Sequence, residues 1–125
     1  MAKEVINSSG LVYNSLTSGS VITGNITSES DFRIDGEVQG DIDCKRKVVI
    51  GHTGVLKGNI TCESAEIIGH VVGNIIVNET ITLRSSAVFT GDIKTQTLVV
   101  EPDAIFNGNC SMKNMKKTNH DVTKV

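Results

Sequence analysis

The chain has 125 residues, a net charge of −2 and 38% hydrophobic residues, which suits one domain with a modest core. The negative balance argues against a nucleic-acid binder, because phosphate contacts need a basic surface. The aromatic residues are only Tyr13, Phe32, Phe89 and Phe106, so we expect a narrow core built from Val, Ile and Leu.

The first segment, residues 1–20, is rich in Ser, Asn, Gly and Thr and is predicted to be a flexible arm. Its start, "MAKEVINSSG", lacks the apolar core of a signal peptide. No apolar run in the chain approaches the ~20 residues that span a bilayer. The three cysteines are an odd number, which fits a reducing compartment. These features predict a cytoplasmic protein.

Residues 21–112 consist of a repeat whose most regular feature is a glycine followed by Asn or Asp. Successive glycines are 16, 18, 15, 18 and 17 residues apart. The six pairs are Gly24-Asn25, Gly40-Asp41, Gly58-Asn59, Gly73-Asn74, Gly91-Asp92 and Gly108-Asn109. A short apolar strand begins each full unit, anchored at Ile34, Ile50, Ile68, Leu83 and Val100. A near-fixed period of this length, with β-branched residues between glycines, predicts an all-β parallel β-helix of about six coils.

The Gly-Asx pair is interpreted as a corner that the chain turns once per coil. Glycine tolerates positive φ, and Asn or Asp satisfies local backbone groups and stacks on its copies about 4.8 Å away. Asp41 and Asp92 stand where Asn serves elsewhere, so they are interpreted as structural. The next residue of each unit is predicted to point inward: Ile26, Ile42, Ile60, Ile75, Ile93 and Cys110.

The handedness of the helix is left open by periodicity. Left-handed β-helices carry an apolar residue every six positions, and a run from Ile26 to Ile68 satisfies that spacing. The register fails at Asn74, however, and the 15-residue unit cannot hold three full hexads.

Two pairs of residues are candidates for chemistry. Cys44 and Cys62 occupy equivalent positions on adjacent coils; a metal pair is conceivable, but small buried hydrophobic residues are the better interpretation because no further ligand completes a set. His52 and His70 both follow an Ile-Gly step and are placed in turns, where one could act as a general base. Neither has an evident carboxylate partner, so solvated turn residues are favoured. No phosphate-binding glycine motif is present, and no cofactor is predicted.

The C-terminal segment, residues 113–125, is predicted to be a flexible basic tail. Its cluster Lys113, Lys116, Lys117 and Lys124 could contact anionic lipid or an acidic partner, although a solvated tail is the simpler interpretation. No amphipathic capping helix is evident at either end of the repeat. Uncapped end coils expose strand edges, and association through them that does not close produces filaments.

The repeat resembles the bactofilins, a family of bacterial polymer-forming cytoskeletal proteins. The matching segments include "VITGNITSESDFRIDGEVQGDI", "KVVIGHTGVLKGNI" and "FTGDIKTQTLVVEPDAIFNGNCSM". The resemblance implies a right-handed β-helix that assembles into filaments without nucleotide, through its ends. It also implies a scaffold at the membrane for cell-wall-modifying or other morphogenetic proteins.

The resemblance also implies residues for the polymer contact. Phe106 matches the family's aromatic residue near the C-terminal end of the core and is expected at a subunit contact. Val21, Ile22 and Phe32 are candidates for the opposite end. The arm contributes only Val5-Ile6 and Leu11-Val12 as apolar pairs, so its sequence leaves direct membrane attachment open.

Two alternatives to a filament remain at this point. One is a left-handed, hexapeptide-repeat acyltransferase-like enzyme, which would be a discrete trimer. The other is a monomeric adaptor with protected ends, which would be a single small species at all concentrations.

Overall fold

The computed structural model describes residues 13–112, and their regular secondary structure consists of β-strands. The strands wind into six coils, and each strand pairs in parallel with its equivalent in the coils above and below. The predicted all-β parallel solenoid of about six coils is thus confirmed, while its right-handed winding stays a prediction. The described residues include no helix that is long and apolar enough to cross a bilayer.

Each coil contributes one strand to each of three faces, which we call A, B and C. Face A contains β1 (Tyr13–Leu16), β4 (Asp31–Ile34), β7 (Lys47–Ile50), β10 (Ser64–Ile67) and residues 80–83 and 97–100. Face B contains β2 (Val21–Thr23), β5 (Glu37–Gln39), β8 (Val55–Lys57), β11 (His70–Val72) and residues 88–90 and 105–107. Face C contains β3 (Ile26–Ser28), β6 (Ile42–Cys44), β9 (Ile60–Cys62) and residues 75–77, 93–95 and 110–112. The last three strands, β12 (Ile75–Leu83), β13 (Val88–Val100) and β14 (Ile105–Met112), continue around corners from one face to the next.

The corners account for the irregular period of the repeat. The corner between faces B and C always has two residues, whereas the corner between A and B has two or four and the corner between C and A has one or two. Strand lengths on the faces stay nearly constant because hydrogen bonds between coils fix their register. Insertions are therefore confined to two of the three corners.

The core is a narrow column of aliphatic side chains, as the composition predicted. Ile34, Ile50, Ile67 and Leu83 stack in one row of face A and are fully buried. The predicted strand anchor Ile68 is wrong by one residue, because Ile67 pairs with Ile50 and Leu83 while Ile68 is only half-buried in the next corner. The sequence pattern does not distinguish which of the two faces the core, because Ile67 and Ile68 are adjacent and identical in type.

The solenoid begins earlier than the sequence predicted. Strand β1 pairs with β4, with Leu16 opposite Ile34, so the prediction of a flexible arm over residues 1–20 is wrong from residue 13 onward. Residues 17–20, which are Thr, Ser, Gly and Ser, connect β1 to β2. They form a corner of the first coil, although this composition is typical of a flexible segment. The rest of the predicted arm and the predicted tail at 113–125, with its lysine cluster, lie outside the described residues.

Candidate assembly interface

The corner between faces B and C is a column of six stacked glycines. Their φ values lie between +130° and +152°, a region that disfavours residues with a Cβ. From Gly40 onward, a Cβ on each glycine would overlap the carbonyl oxygen of the glycine one coil earlier. Glycine is therefore required here for close backbone approach as well as for its φ.

The Asn and Asp residues of the same corner form a hydrogen-bonded ladder. The backbone N–H of Asp41 donates to Asn25 Oδ1 at 3.2 Å, and the N–H of Asn59 donates to Asp41 Oδ1 at 3.1 Å. The same bond joins Asn74 to Asn59 and Asp92 to Asn74, both at 3.2 Å. Each rung needs only an acceptor oxygen, which explains why a carboxylate and a carboxamide alternate freely.

A second polar row was missed by the sequence analysis. Two residues after the inward isoleucine, Ser28, Cys62 and Thr95 each donate a side-chain hydrogen to a backbone carbonyl two residues ahead, at 2.8, 3.2 and 3.0 Å. Cys44 donates to the carbonyl of Ser30 at 3.2 Å. The signal was available, since small residues with a hydrogen to donate recur at one position of the repeat.

The cysteines of this row are structural. Cys44 and Cys62 are each 2% exposed, as predicted for small buried residues. Burial, with a smaller contribution from neighbouring Cys44, raises the pKa of Cys62 to about 12. The thiol therefore stays protonated at neutral pH, and a protonated thiol is a poor nucleophile and metal ligand.

The two candidate histidines lie in different parts of their coils. His52 lies in the four-residue corner of the third coil, whereas His70 begins β11 and pairs with Val55 and Val88. The prediction that both lie in turns is wrong for His70, because the corner before it has only two residues. Both side chains are exposed.

The C-terminal end of the described solenoid is formed by the last coil. Phe106 is half-buried and packs edge-to-face on the fully buried Phe89, with ring centroids 5.5 Å apart. Val100 and Ile105 are 46% and 49% exposed. Beyond β14 no further strand of residues 13–112 covers this coil, so an apolar cross-section and a strand edge are exposed together.

The N-terminal end of the described solenoid is formed by the first coil. Val21 is 60% exposed, and Ile22 is half-buried against the core. Phe32 was placed at this end from the sequence, but it lies in the second coil, where it pairs with Asn14 on one side and Val48 on the other. The additional strand β1 places it one layer inward.

An alternating ladder of ion pairs runs along face A and its corner with face B as far as the last coil. Lys47 contacts Glu66 at 3.3 Å, Glu66 contacts Arg84 at 2.7 Å, and Arg84 contacts Glu101 at 2.7 Å. Partial burial acts to raise the pKa of Glu66, but hydrogen bonds from Arg84 and Lys47 outweigh it and hold that pKa below its usual value. Glu101 also accepts the N–H of Ser85 at 3.0 Å, which ties the terminal coil to its neighbour.

Comparison with known proteins places this geometry in a family. The family model "Bactofilin: Polymer-forming cytoskeletal" matches residues 14–111. The chain is 33% identical to bactofilin BacO of Myxococcus xanthus over 92 residues, which is 74% of this chain and 73% of BacO.

Solved structures of similar proteins agree with the fold. A cryo-EM reconstruction of Thermus thermophilus bactofilin double helical filaments superposes with a TM-score of 0.76 at 29% identity, over 80% of this chain and 99% of that one. A solid-state NMR structure of the cytoskeletal bactofilin BacA gives 0.74 at 31% identity, over 82% of this chain and 98% of that one. The chain belongs to the bactofilin family of polymer-forming cytoskeletal proteins.

Proposed function

We propose that this chain assembles into filaments by contacts between its end coils, without nucleotide, and that its role is structural rather than enzymatic. The observation that carries the proposal is the apolar cross-section of the last coil, where Phe106 packs edge-to-face on Phe89 and continues the core to the surface. Covering such a surface releases about 25 cal/mol for each Å² of apolar area. Hydrogen bonds between the exposed strand edges would also fix how one subunit is oriented on the next.

The polymer contact in this proposal involves Phe106 at the last coil and Val21 and Ile22 at the first. Phe32 takes part only indirectly, because it lies in the second coil and packs beneath the first-coil strand β1 rather than at the end itself. The alternative of an acyltransferase gains no support from His52 and His70, because both side chains are exposed and neither is joined to a carboxylate among the described residues.

The filament would act as a scaffold at the inner face of the cell membrane, in the cytoplasm. Its polar faces would be free to hold cell-wall-modifying enzymes or membrane proteins. This part of the proposal rests on the chain's membership of the bactofilin family. It is tested by locating the tagged protein in cells and by identifying which proteins fail to localise when the filaments are lost.

The test of assembly compares wild type with Phe106→Arg by negative-stain electron microscopy in nucleotide-free buffer. We expect filaments from the wild type and short particles from the variant, because burying an unpaired charge at a subunit contact costs several kcal/mol. Ser111→Arg is the matched control, since Ser111 lies in the same coil with an exposed side chain.

Filaments from Ser111→Arg together with short particles from Phe106→Arg would support the proposed contact. Uniform compact particles from the wild type would refute assembly. Unchanged filaments from Phe106→Arg would remove Phe106 from the contact.

A further inference from the structure

The dipeptide Asn-Gly occurs once in the chain, at Asn107-Gly108 in the last coil. In the other coils the residue before the corner glycine is Thr23, Gln39, Lys57, Val72 or Thr90. The side-chain amide of asparagine is attacked most readily by the backbone nitrogen of a following glycine, because glycine has no Cβ to obstruct the approach. The last coil therefore carries a chemically labile amide that the other corners lack.

The backbone nitrogen of Gly108 differs from those of the other corner glycines in its hydrogen bonding. Four of them donate their N–H to a carbonyl of the next coil, at 2.9 to 3.0 Å; these are Gly24, Gly40, Gly58 and Gly73. No later coil follows Gly108 among residues 13–112, so its N–H has no such acceptor there. A hydrogen bond would hold this nitrogen away from the preceding side chain, and that restraint is missing at Gly108.

The surroundings of Asn107 favour the same reaction. Its side chain is exposed and makes no hydrogen bond within residues 13–112. Strand β14 pairs with β13 on one side only, and an edge strand opens locally more often than an interior one. Opening matters because the extended backbone has to rotate before the Gly108 nitrogen can reach Cγ of Asn107.

Asp35-Gly36 is the other place where an acid or amide of this size precedes a glycine. The Gly36 N–H donates to the carbonyl of Leu16 at 3.1 Å. Arg33 donates to the Asp35 carboxylate at 2.8 Å. Both reacting groups are thus held by other partners, and attack of the glycine nitrogen on the side chain is not expected there.

We propose that Asn107 is a site of spontaneous deamidation in the unassembled subunit and that covering the last coil protects it. The Gly108 nitrogen attacks Cγ of Asn107, the new C–N bond closes a succinimide ring, and the Cγ–Nδ2 bond breaks. The side-chain nitrogen leaves as ammonia, taking the proton of the Gly108 N–H. Water then opens the ring at either carbonyl and returns a proton to the ring nitrogen, which leaves aspartate or isoaspartate.

The isoaspartate product alters the end coil by more than its charge. It inserts the side-chain methylene carbon into the main chain before Gly108, where stacking on Gly91 leaves no room for an added carbon. A subunit with this product is therefore expected to lose the ability to join a filament. This consequence rests on the proposed end-to-end contact, whereas the deamidation itself does not.

The deamidation rate is measured by peptide mapping with mass spectrometry, on the full chain in mildly alkaline buffer below the concentration at which filaments form. Gln39→Asn is the matched control, because it creates the same dipeptide on the same face of an interior coil, where the Gly40 N–H donates to Lys57 O at 3.0 Å. We expect Asn107 to be converted more than ~10-fold faster than the residue introduced at position 39, since an interior strand opens less often.

A synthetic peptide of residues 105–112 supplies the rate without structure. Equal rates at positions 107 and 39, or an unchanged Asn107 after the peptide has been converted, would overturn the site. Asn107→Gln should leave this position unmodified under the same conditions, because the longer side chain closes a larger ring. Conversion at position 107 in that variant at the wild-type rate would contradict attack by the Gly108 nitrogen.

The protection is tested by comparing filaments with free subunits of the wild type. Slower conversion in filaments supports it, and the same rate in both would overturn it. Isoaspartate-containing subunits, separated by ion exchange, should stay in the supernatant when filaments are sedimented, and equal sedimentation would overturn the effect on assembly. If the wild type forms no filaments, the proposed function fails, and the comparison of positions 107 and 39 still decides the deamidation site.

Discussion

The two ends of the solenoid are built from equivalent rows of inward positions but from different side chains. In the first coil these positions hold Asn14, Leu16, Ile22, Ile26 and Ser28, and in the last coil they hold Leu98, Val100, Phe106, Cys110 and Met112. Asn14 donates to Ser28 Oγ at 3.0 Å, so the first coil ends in a hydrogen-bonded polar pair. The last coil has no side-chain oxygen or nitrogen at any of these positions.

This difference predicts that covering the C-terminal end of the solenoid is more favourable in free energy than covering the N-terminal end. Burying an apolar side chain is favourable in proportion to its area, whereas covering a polar pair removes it from water with little net gain. Phe106 adds an aromatic ring to the last coil, where the same row of the first coil has Ile22. We therefore expect the C-terminal end to contribute more to assembly than the N-terminal end.

The largest expected effect comes from placing the same charge at each end. Phe106→Arg should abolish filaments, whereas Ile22→Arg should leave filaments that form only at a higher protein concentration. The reason is the smaller apolar area that the first coil contributes. Sedimentation of filaments over a range of protein concentrations measures both effects, and equal loss in the two variants would contradict an unequal contribution from the ends.

A smaller effect is expected from substitutions in the glycine column, which compare the stability of the interior with that of the first coil. Gly58→Ala should lower the free energy of unfolding by more than ~4 kcal/mol, because its Cβ would overlap the carbonyl oxygen of Gly40. Gly24→Ala should cost only ~1–2 kcal/mol for its positive φ, because no atom lies within 4 Å of the added carbon. Chemical denaturation below the concentration at which assembly begins measures both, and similar losses would show that φ alone requires glycine.

The smallest expected effect tests the Asx ladder in the interior and at its last rung. Asn59→Ala removes the acceptor of the Asn74 N–H and should cost about 1 kcal/mol, whereas Asn59→Asp should restore most of it. Asn109→Ala should change stability by less than ~0.5 kcal/mol, because Asn109 only donates a long bond of 3.5 Å to Asp92. Thermal unfolding of the three variants provides the comparison, and an equal cost at Asn59 and Asn109 would contradict the role of the acceptor.

The features that the sequence predicted best are those that recur at one position in every coil. The Gly-Asx corner has two residues in all six coils, so its spacing revealed the fold, the number of coils and the inward row from Ile26 to Cys110. The features that it predicted poorly depend on corners of variable length. The predictions for Ile68 and His70 were wrong because the fourth coil has a one-residue corner before β10 and a two-residue corner before β11, whereas the third coil has two and four residues at these places.

The sequence by itself determined a six-coil solenoid with glycine corners, because the same local steric requirement recurs at one position of each coil and can be recognised from the spacing of the glycines. Only the tertiary structure decided where the first coil begins, since β1 is held by hydrogen bonds to β4 and not by its own apolar pattern. Pairing between coils likewise decided that Phe32 is one layer inside the end and that Ile67 rather than Ile68 faces the core. Register is a property of two strands together, and one strand's composition does not specify it.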